Sequence, residues 1–373
     1  MKIVIAIDKF KGSASSWELA QAAAHGIERQ GGSHEIVPVA VGDGGEGTVE
    51  AIAGSKSGHW CQCEVHAPLP WLPNIKARYF VDDEGCAYME TAAASGLALV
   101  PPSERNVMMS SSIGTGEMIL HAVDNGCRKI VLCLGGSATC DGGTGMLAAL
   151  GVEFFDCQQH HIVPCGEKLI EIAEIDTTGM PQSVLDTEFT LLCDVTAPLL
   201  GKEGAAHAFA PQKGASPEQV EQLEAGMKRY ADFMSPSIAI AQGAGAAGGI
   251  GAAAFAFLGA KMDFGAHSVL RLLNFEDKLV GAQLVITGEG RIDATTMQGK
   301  LPAIVANMAH INGAKVVAIA GEITPNIDPL SIGFDAVFPI NRCLTSLEEA
   351  QRSCLENVEF TVEQIMSILT MKM

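Results

Sequence analysis

Five glycine-rich segments place carboxylates, cations or hydroxyls beside tight turns: residues 8–13, 42–48, 135–145, 243–251 and 288–300. Such a turn can present backbone N–H groups, and often a helix N-terminus, to an anion. One glycine loop is ordinarily just a turn, because glycine is the default residue for tight connections. Several in one chain point to phosphate handling at the carboxyl ends of strands. Phosphoryl transfer needs a phosphate cradle, a divalent cation, positive charge near the transferred group and a base for the hydroxyl. Asp8, Asp43, Glu46, Asp141, Asp194, Glu289 and Asp293 supply carboxylates, and Lys11, Lys213, Arg291 and Lys300 supply positive charge. Taken singly, each reads as a solvated surface charge; their placement in the loops selects them.

Familiar nucleotide signatures are missing. Lys300 follows Gly299, but Leu301 stands where a Walker A loop has Ser or Thr, and the spacing of the earlier glycine is wrong. The protein-kinase motif set is also absent. Gly243, Gly245 and Gly248 match GxGxxG after the apolar run 238–241. An NAD-dependent oxidoreductase is therefore the alternative function, although 260–262 makes a poor strand before Asp263. Cys157, His160, His161 and Cys165 have spacing that zinc could use; with Gln158-Gln159 between them they read instead as a polar hairpin.

The elements that must position these loops follow from periodicity. Residues 2–7 are a buried first strand, and a helix starts near Ser15, where Glu18 completes a capping box and Gly31-Gly32 ends it. A second strand is expected over 35–41. Short alternating strands replace the strand–helix rhythm over 59–89, and it returns at 129–150. Ser216, Pro217 and Gln219 open another helix. Strands are expected at 283–287, 315–320 and 336–340, then a closing helix capped at Ser346 whose core stripe is Leu347, Ala350, Cys354, Val358, Val362, Ile365 and Leu369.

The chain has 373 residues, 48% hydrophobic and 18% charged, enough for two domains with large cores. The fold expected is α/β: a Rossmann-like open parallel sheet from residues 1–58 plus 267–373, and an inserted mixed-sheet domain from 59–266, with the active site in the cleft between them. A net charge of −19 opposes nucleic acid and anionic membranes as partners, leaving small molecules and, compatibly, a homo-oligomer. Eleven scattered cysteines without a CxxC pair, and no signal-peptide core, indicate a cytoplasmic protein.

Taken in order, the loops resemble the bacterial type-1 glycerate kinase family over nearly the whole chain. The resemblance is carried by Asp8-Lys9-Phe10-Lys11-Gly12-Ser13, Asp43-Gly44-Gly45-Glu46-Gly47-Thr48, Glu90-Thr91-Ala92-Ala93-Ala94-Ser95-Gly96-Leu97 and Gly114-Thr115-Gly116-Glu117. It continues through Gly135-Gly136-Ser137-Ala138-Thr139, Asp141-Gly142-Gly143, Cys193-Asp194-Val195, Pro211-Gln212-Lys213-Gly214, the glycines from Gly243 and Gly288-Glu289-Gly290-Arg291-Ile292-Asp293 to Lys300. Ile7, Lys9, Cys140, Ala197 and Thr295 depart from the family pattern; at 140 and 197 the pattern has Asn, and the fine substrate or cofactor contacts of those two side chains are lost. The resemblance implies ATP- and Mg²⁺-dependent phosphorylation of D-glycerate, with 2-phosphoglycerate the favoured product; a kinase of another small hydroxy-acid is the remaining variant. It further implies Arg291 and Lys11 on the substrate carboxylate or the transferred group, Asp194 or Asp293 orienting the hydroxyl, and Asp8 and Lys213 near substrate. Asp43 and Glu289 are then the metal candidates. Gly135, Gly136, Ser137, Asp141, Gly243, Gly245, Gly248 and Lys300 are the nucleotide candidates.

Overall fold

The computed structural model describes residues 1–325 and 327–371. In chain order the strands are β1 (Lys2–Ile7), β2 (Glu35–Pro38), β3 (Gly58–Val65), β4 (Ile75–Asp82), β5 (Cys86–Glu90), β6 (Lys129–Cys133), β7 (Glu153–Phe155), β8 (Glu174–Asp176), β9 (Glu188–Cys193), β10 (Lys261–Phe264), β11 (Leu284–Ile292), β12 (Lys315–Ile323) and β13 (Ala336–Pro339). The chain folds as two compact units: Met1–Asp43 with Glu50–Lys56 and Gly265–Met373, and Gly44–Val49 with Ser57–Phe264. Gly44–Val49 thus packs with the second unit, where the sequence had suggested the first. The reason is local. The Glu90 carboxylate accepts from the Gly47 N–H at 2.9 Å and the Val49 N–H at 3.0 Å.

The first unit is built on a five-stranded parallel sheet in the order β13-β12-β11-β1-β2. Residues Ile3–Ile7 are fully buried, as expected for a strand covered on both faces. Helix Ser16–Gln30 carries the expected capping box. It packs through Leu19, Ala23 and Ile27 against Val358, Val362 and Met366 of helix Cys354–Thr370. Its Gly26 permits the close approach, since a Cβ there would lie 2.4 Å from the Glu359 carbonyl oxygen. From β1 the chain winds through this helix to β2 on one side; from β11 it winds through helix Leu301–Ile311 to β12 on the other. The winding direction reverses between β1 and β11. In open α/β sheets, ligands bind outside the strand carboxyl ends at such a reversal. Asp8 and Glu289 stand there.

Two expectations change in this unit. Residues 288–292, read as loop, continue β11, because Gly288 permits a backbone approach in which an added Cβ would sit 2.1 Å from the Ile319 carbonyl oxygen. The closing helix is two, Leu347–Arg352 and Cys354–Thr370, broken at Ser353. Leu347 and Leu369 are exposed, whereas Cys354, Val358, Val362 and Ile365 are core.

The second unit holds a six-stranded sheet ordered β10-β9-β6-β5-β4-β3. Strands β5, β6, β9 and β10 run parallel, and β4 and β3 add an antiparallel hairpin, which explains the change of rhythm over 59–89. The short β7–β8 pair carries the polar hairpin, with His160 Nδ1 3.2 Å from Asp156 Oδ2 and the His161 ring edge-on to Phe155. β10 forms despite its weak strand pattern, held at the sheet edge by β9. Among the described residues no helix is long and apolar enough to cross a membrane.

The GxGxxG stretch is a packing device. Helix Pro236–Ala239 precedes it where a dinucleotide fold needs a strand, and residues Gly243 to Ile250 are buried. Ala247, Gly248 and Gly249 are left-handed in succession. The Gly142 N–H donates to the Gly248 carbonyl at 3.0 Å, and a Cβ on Gly248 would lie 1.9 Å from the Thr139 carbonyl oxygen. Gly248→Ala is expected to destabilise by about 3 kcal/mol through backbone overlap and a positive φ, checked by denaturant unfolding.

Candidate active site

In the first unit, the carboxyl ends of β1 and β11 gather acids and lysines. Asp8 follows β1, its backbone N–H donating to the Gly288 carbonyl at 2.9 Å. Its Oδ1 accepts from the Lys9 N–H at 2.8 Å. Burial raises its pKa to about 7, and the Asp43 and Glu289 carboxylates push the same way against the opposing pull of Lys9. Lys9 Nζ lies 3.4 Å from Asp43 Oδ1. Glu289 is buried and accepts from Thr296 Oγ1 at 2.6 Å and Lys300 Nζ at 3.1 Å. Three carboxylates thus share one electrostatic neighbourhood held in place by two lysines.

Asp293 is engaged differently. Its Oδ1 accepts from the Thr295 N–H and hydroxyl and lies 3.7 Å from Lys300 Nζ. The Thr295 hydrogen bonds hold its pKa below the usual carboxylate value, so it is a poor proton acceptor and a good anchor for Lys300. Thr295, a departure from the family pattern, therefore has a structural role. Arg291 is exposed, with Nη2 3.6 Å from Glu322 Oε1, and Lys11 is exposed.

The second unit gathers the other candidates around the carboxyl ends of β5, β6 and β9. Gly135 follows β6 so closely on the 44–45 turn that a Cβ would sit 2.5 Å from the Gly45 Cα. Gly136 is left-handed and exposed. Ser137 is buried, and its Oγ accepts from Lys213 Nζ at 2.9 Å. The same ammonium donates to the Thr139 carbonyl at 2.7 Å. Burial lowers the Lys213 pKa, while Cys140 and Asp141 oppose that shift. Asp194 is exposed at the end of β9.

Asp141, expected at the nucleotide, is spent inside the fold. It is fully buried, and its carboxylate accepts from the Ser112 N–H and hydroxyl, both at 2.7 Å, and from the Gly143 and Gly145 N–H groups, both at 3.1 Å. Burial still raises its pKa, with those donors pulling it down. Gly243, Gly245 and Gly248 are likewise interior, so a phosphate cradle and the NAD reading both lose their loop: a Cβ on Gly245 would meet the Pro198 carbonyl oxygen at 2.2 Å. Cys140, where the family pattern has Asn, is buried with its thiol pushed up to about 11.

Several participants were not singled out from sequence. Lys9 was noted only within a motif and as a departure from it, and Glu90 only as part of a motif. Thr296 and Ser112 carry no motif, and only the hydrogen-bond partners reveal them.

A parallel α/β unit with acids and lysines at its winding reversal, in a chain whose second α/β unit sets glycine turns at strand ends, has the makings of an enzyme for small anionic ligands. The chain belongs to the glycerate kinase family, whose model matches residues 3–370. It is 41% identical to a glycerate kinase of Bacillus cereus, covering 99% of this chain and 98% of the relative. It is 40% identical to the glycerate 2-kinase of Escherichia coli K12, covering 96% and 95%. A crystal structure of a glycerate kinase 2 candidate from Salmonella typhimurium LT2 superposes with a TM-score of 0.85 at 41% identity, covering 99% of this chain and 98% of that one.

Proposed function

We propose that the protein transfers the terminal phosphoryl group of ATP directly to D-glycerate, with the 2-hydroxyl the acceptor. Family membership supports the kinase reading, and the name of the Escherichia coli relative favours the 2-position. The observation that carries it is Asp8 with a pKa of about 7 at the reversal of the parallel sheet. A base for an alcohol works best when its pKa lies near the operating pH. Asp8 is accordingly assigned to the substrate hydroxyl, in place of Asp293, whose carboxylate is held down by Thr295.

Mg²⁺ fits this neighbourhood. Asp8 carries its raised pKa partly because the Asp43 and Glu289 carboxylates lie near it, and a divalent cation relieves such crowding. Among the described residues no three His, Cys, Asp or Glu side chains converge as a ready cage. Mg²⁺ does not need one, being held commonly by one or two carboxylates with phosphate oxygens and waters. Asp43 and Glu289 would hold it, and when bound it would neutralise charge on the phosphates. Lys9 and Lys300 keep those carboxylates in place, and Arg291 and Lys11 are exposed cations for incoming anions. In the second unit the Gly135–Gly136 turn, stiffened through Ser137 by Lys213, is the remaining phosphate candidate. The reaction is assigned to the cytoplasm, since buried thiols outside any disulfide, such as Cys140, Cys165 and Cys354, suit a reducing compartment.

The test is ADP release across a panel of hydroxy-acids, with ³¹P NMR of the product. D-glycerate should give the highest kcat/KM and a 2-phosphate resonance, and EDTA should abolish turnover. No ADP release with D-glycerate sinks the reading; a 3-phosphate product reassigns the hydroxyl.

A further inference from the structure

In the five-stranded sheet the rungs between β1 and β2 follow one rule. The Glu35 N–H donates to the Met1 carbonyl at 2.9 Å and the Val39 N–H to the Ile5 carbonyl at 2.8 Å. Both fit the parallel register, which pairs Lys2 with Glu35 and Ile5 with Pro38. The same register makes the next rung a bond from the Val41 N–H to the Ile7 carbonyl. A side chain takes its place. The Val41 N–H donates to Ser16 Oγ at 2.8 Å, and the Ser16 hydroxyl donates onward to the Ile7 carbonyl at 2.6 Å. Ser16 is buried and is the first residue of helix Ser16–Gln30.

This hydroxyl is not needed as a helix cap, since Ser15 already accepts the Glu18 N–H and forms the capping box. Nor is it needed to satisfy the two backbone groups, which a direct rung would pair with each other. What it changes is spacing. At this level β1 and the chain leaving β2 stand two hydrogen bonds apart, whereas one bond closes the ladder at Val39. The displaced backbones lead straight to two candidate acids: Asp8 follows Ile7, and Asp43 lies two residues beyond Val41. We propose that Ser16 is a positioning residue, its hydroxyl a wedge that splays the carboxyl end of β1 from the 39–43 segment and so sets the separation of the Asp8 and Asp43 side chains for a divalent cation and the substrate hydroxyl. The wedge rests on the roles proposed above for Asp8 and Asp43. Lys9, the residue after Asp8, reaches across the same opening, with Nζ 3.4 Å from Asp43 Oδ1. A serine hydroxyl has one O–H to give, and here it is spent on one wall of the opening while its oxygen receives the other.

Ser16→Ala removes the wedge and lets the rung close, and Ser16→Thr keeps the hydroxyl. Should Ser16→Ala fold poorly, Ser16→Cys replaces it, since a thiol is a weak donor and acceptor of similar size. Two readouts are taken on the whole protein: steady-state kinetics with D-glycerate and ATP, and Mn²⁺ binding in the presence of ADP, followed by electron paramagnetic resonance without turnover. Ser16→Ala should lower kcat and weaken Mn²⁺ each about 10- to 100-fold, the usual consequence of disturbing groups that orient a metal site or its reactants. The KM for D-glycerate should change little, because the loss falls on alignment rather than on substrate binding. Ser16→Thr should recover most of both losses. A serine that only supported the fold would lower stability and leave kcat and Mn²⁺ affinity of the folded protein as they were. That result overturns the wedge, as does a folded Ser16→Thr protein no better than Ser16→Ala, or a wild-type protein that binds no Mn²⁺ with ADP. If the wild-type protein fails to phosphorylate D-glycerate, the kinase reading falls, yet the Mn²⁺ titrations still decide the wedge.

Discussion

Asp8→Asn should lower kcat/KM for D-glycerate about 10²- to 10⁴-fold, the usual worth of a positioned base, while making the protein more stable at pH 8. The two effects have one cause. Asp8 is held near pKa 7 against an ordinary value of 3.8 by burial and by the Asp43 and Glu289 carboxylates. Its folded pKa lies above its unfolded one, so the folded state binds the extra proton between about pH 4 and pH 7. Stability therefore falls as pH rises through that window, and above it the full penalty of the buried charge is present. A shift of this size is on the order of 2–4 kcal/mol. Asn keeps an oxygen for the Lys9 N–H, which Asp8 Oδ1 now receives at 2.8 Å, and removes the charge. Urea unfolding at pH 8 and pH 4 should show Asp8→Asn more stable than wild type at the higher pH and close to it at the lower. The acidic limb of the wild-type kcat/KM profile should lie above the ordinary carboxylate value of 3.8, below pH 7 where bound Mg²⁺ relieves the crowding by Asp43 and Glu289, and vanish in the variant. A variant that retains turnover within tenfold of wild type, or is destabilised at pH 8, removes Asp8 from the role.

How far the sequence could be read depended on whether a residue's partners were local. The capping boxes at Ser15 and Ser216 need only residues three apart, and both form. β1 was legible because a run of Ile and Val ending at Asp has few other uses in an α/β chain. The glycine loops were harder, because sequence does not separate a glycine that faces a ligand from one that faces another backbone. Gly136 is exposed and left-handed, as the first kind would be. Gly245 and Gly248 are the second, each allowing a carbonyl to approach where a Cβ would stand. Both patterns print as glycine beside small residues. Long-range electrostatics were invisible for the same reason: Asp8, Asp43 and Glu289 are far apart along the chain, and only the sheet order brings β1 beside β11. The family resemblance supplied the order of the motifs but not the division of labour among their acids.

Asp141→Ala should cost about 4 kcal/mol or more of stability, and the loss should fall on the second unit. The carboxylate accepts from three backbone donors, those of Ser112, Gly143 and Gly145, and also takes the Ser112 hydroxyl. Removing it strands those groups in a fully buried site, at about 1–3 kcal/mol for each donor left without a partner. The damage should spread, because the Ser112 hydroxyl oxygen accepts the Met146 N–H at 2.9 Å and helix Thr144–Ala149 begins against this carboxylate. Asn is a gentler probe: it keeps one acceptor but turns an NH₂ toward a group of donors, so it should fall between wild type and Ala. Hydrogen exchange separates this anchoring role from a direct nucleotide contact. Amides of 112–119 and 143–149 should lose protection in Asp141→Ala without any ligand present. Unchanged protection there, accompanied by a higher KM for ATP, would return Asp141 to the nucleotide site and contradict its interior hydrogen bonding.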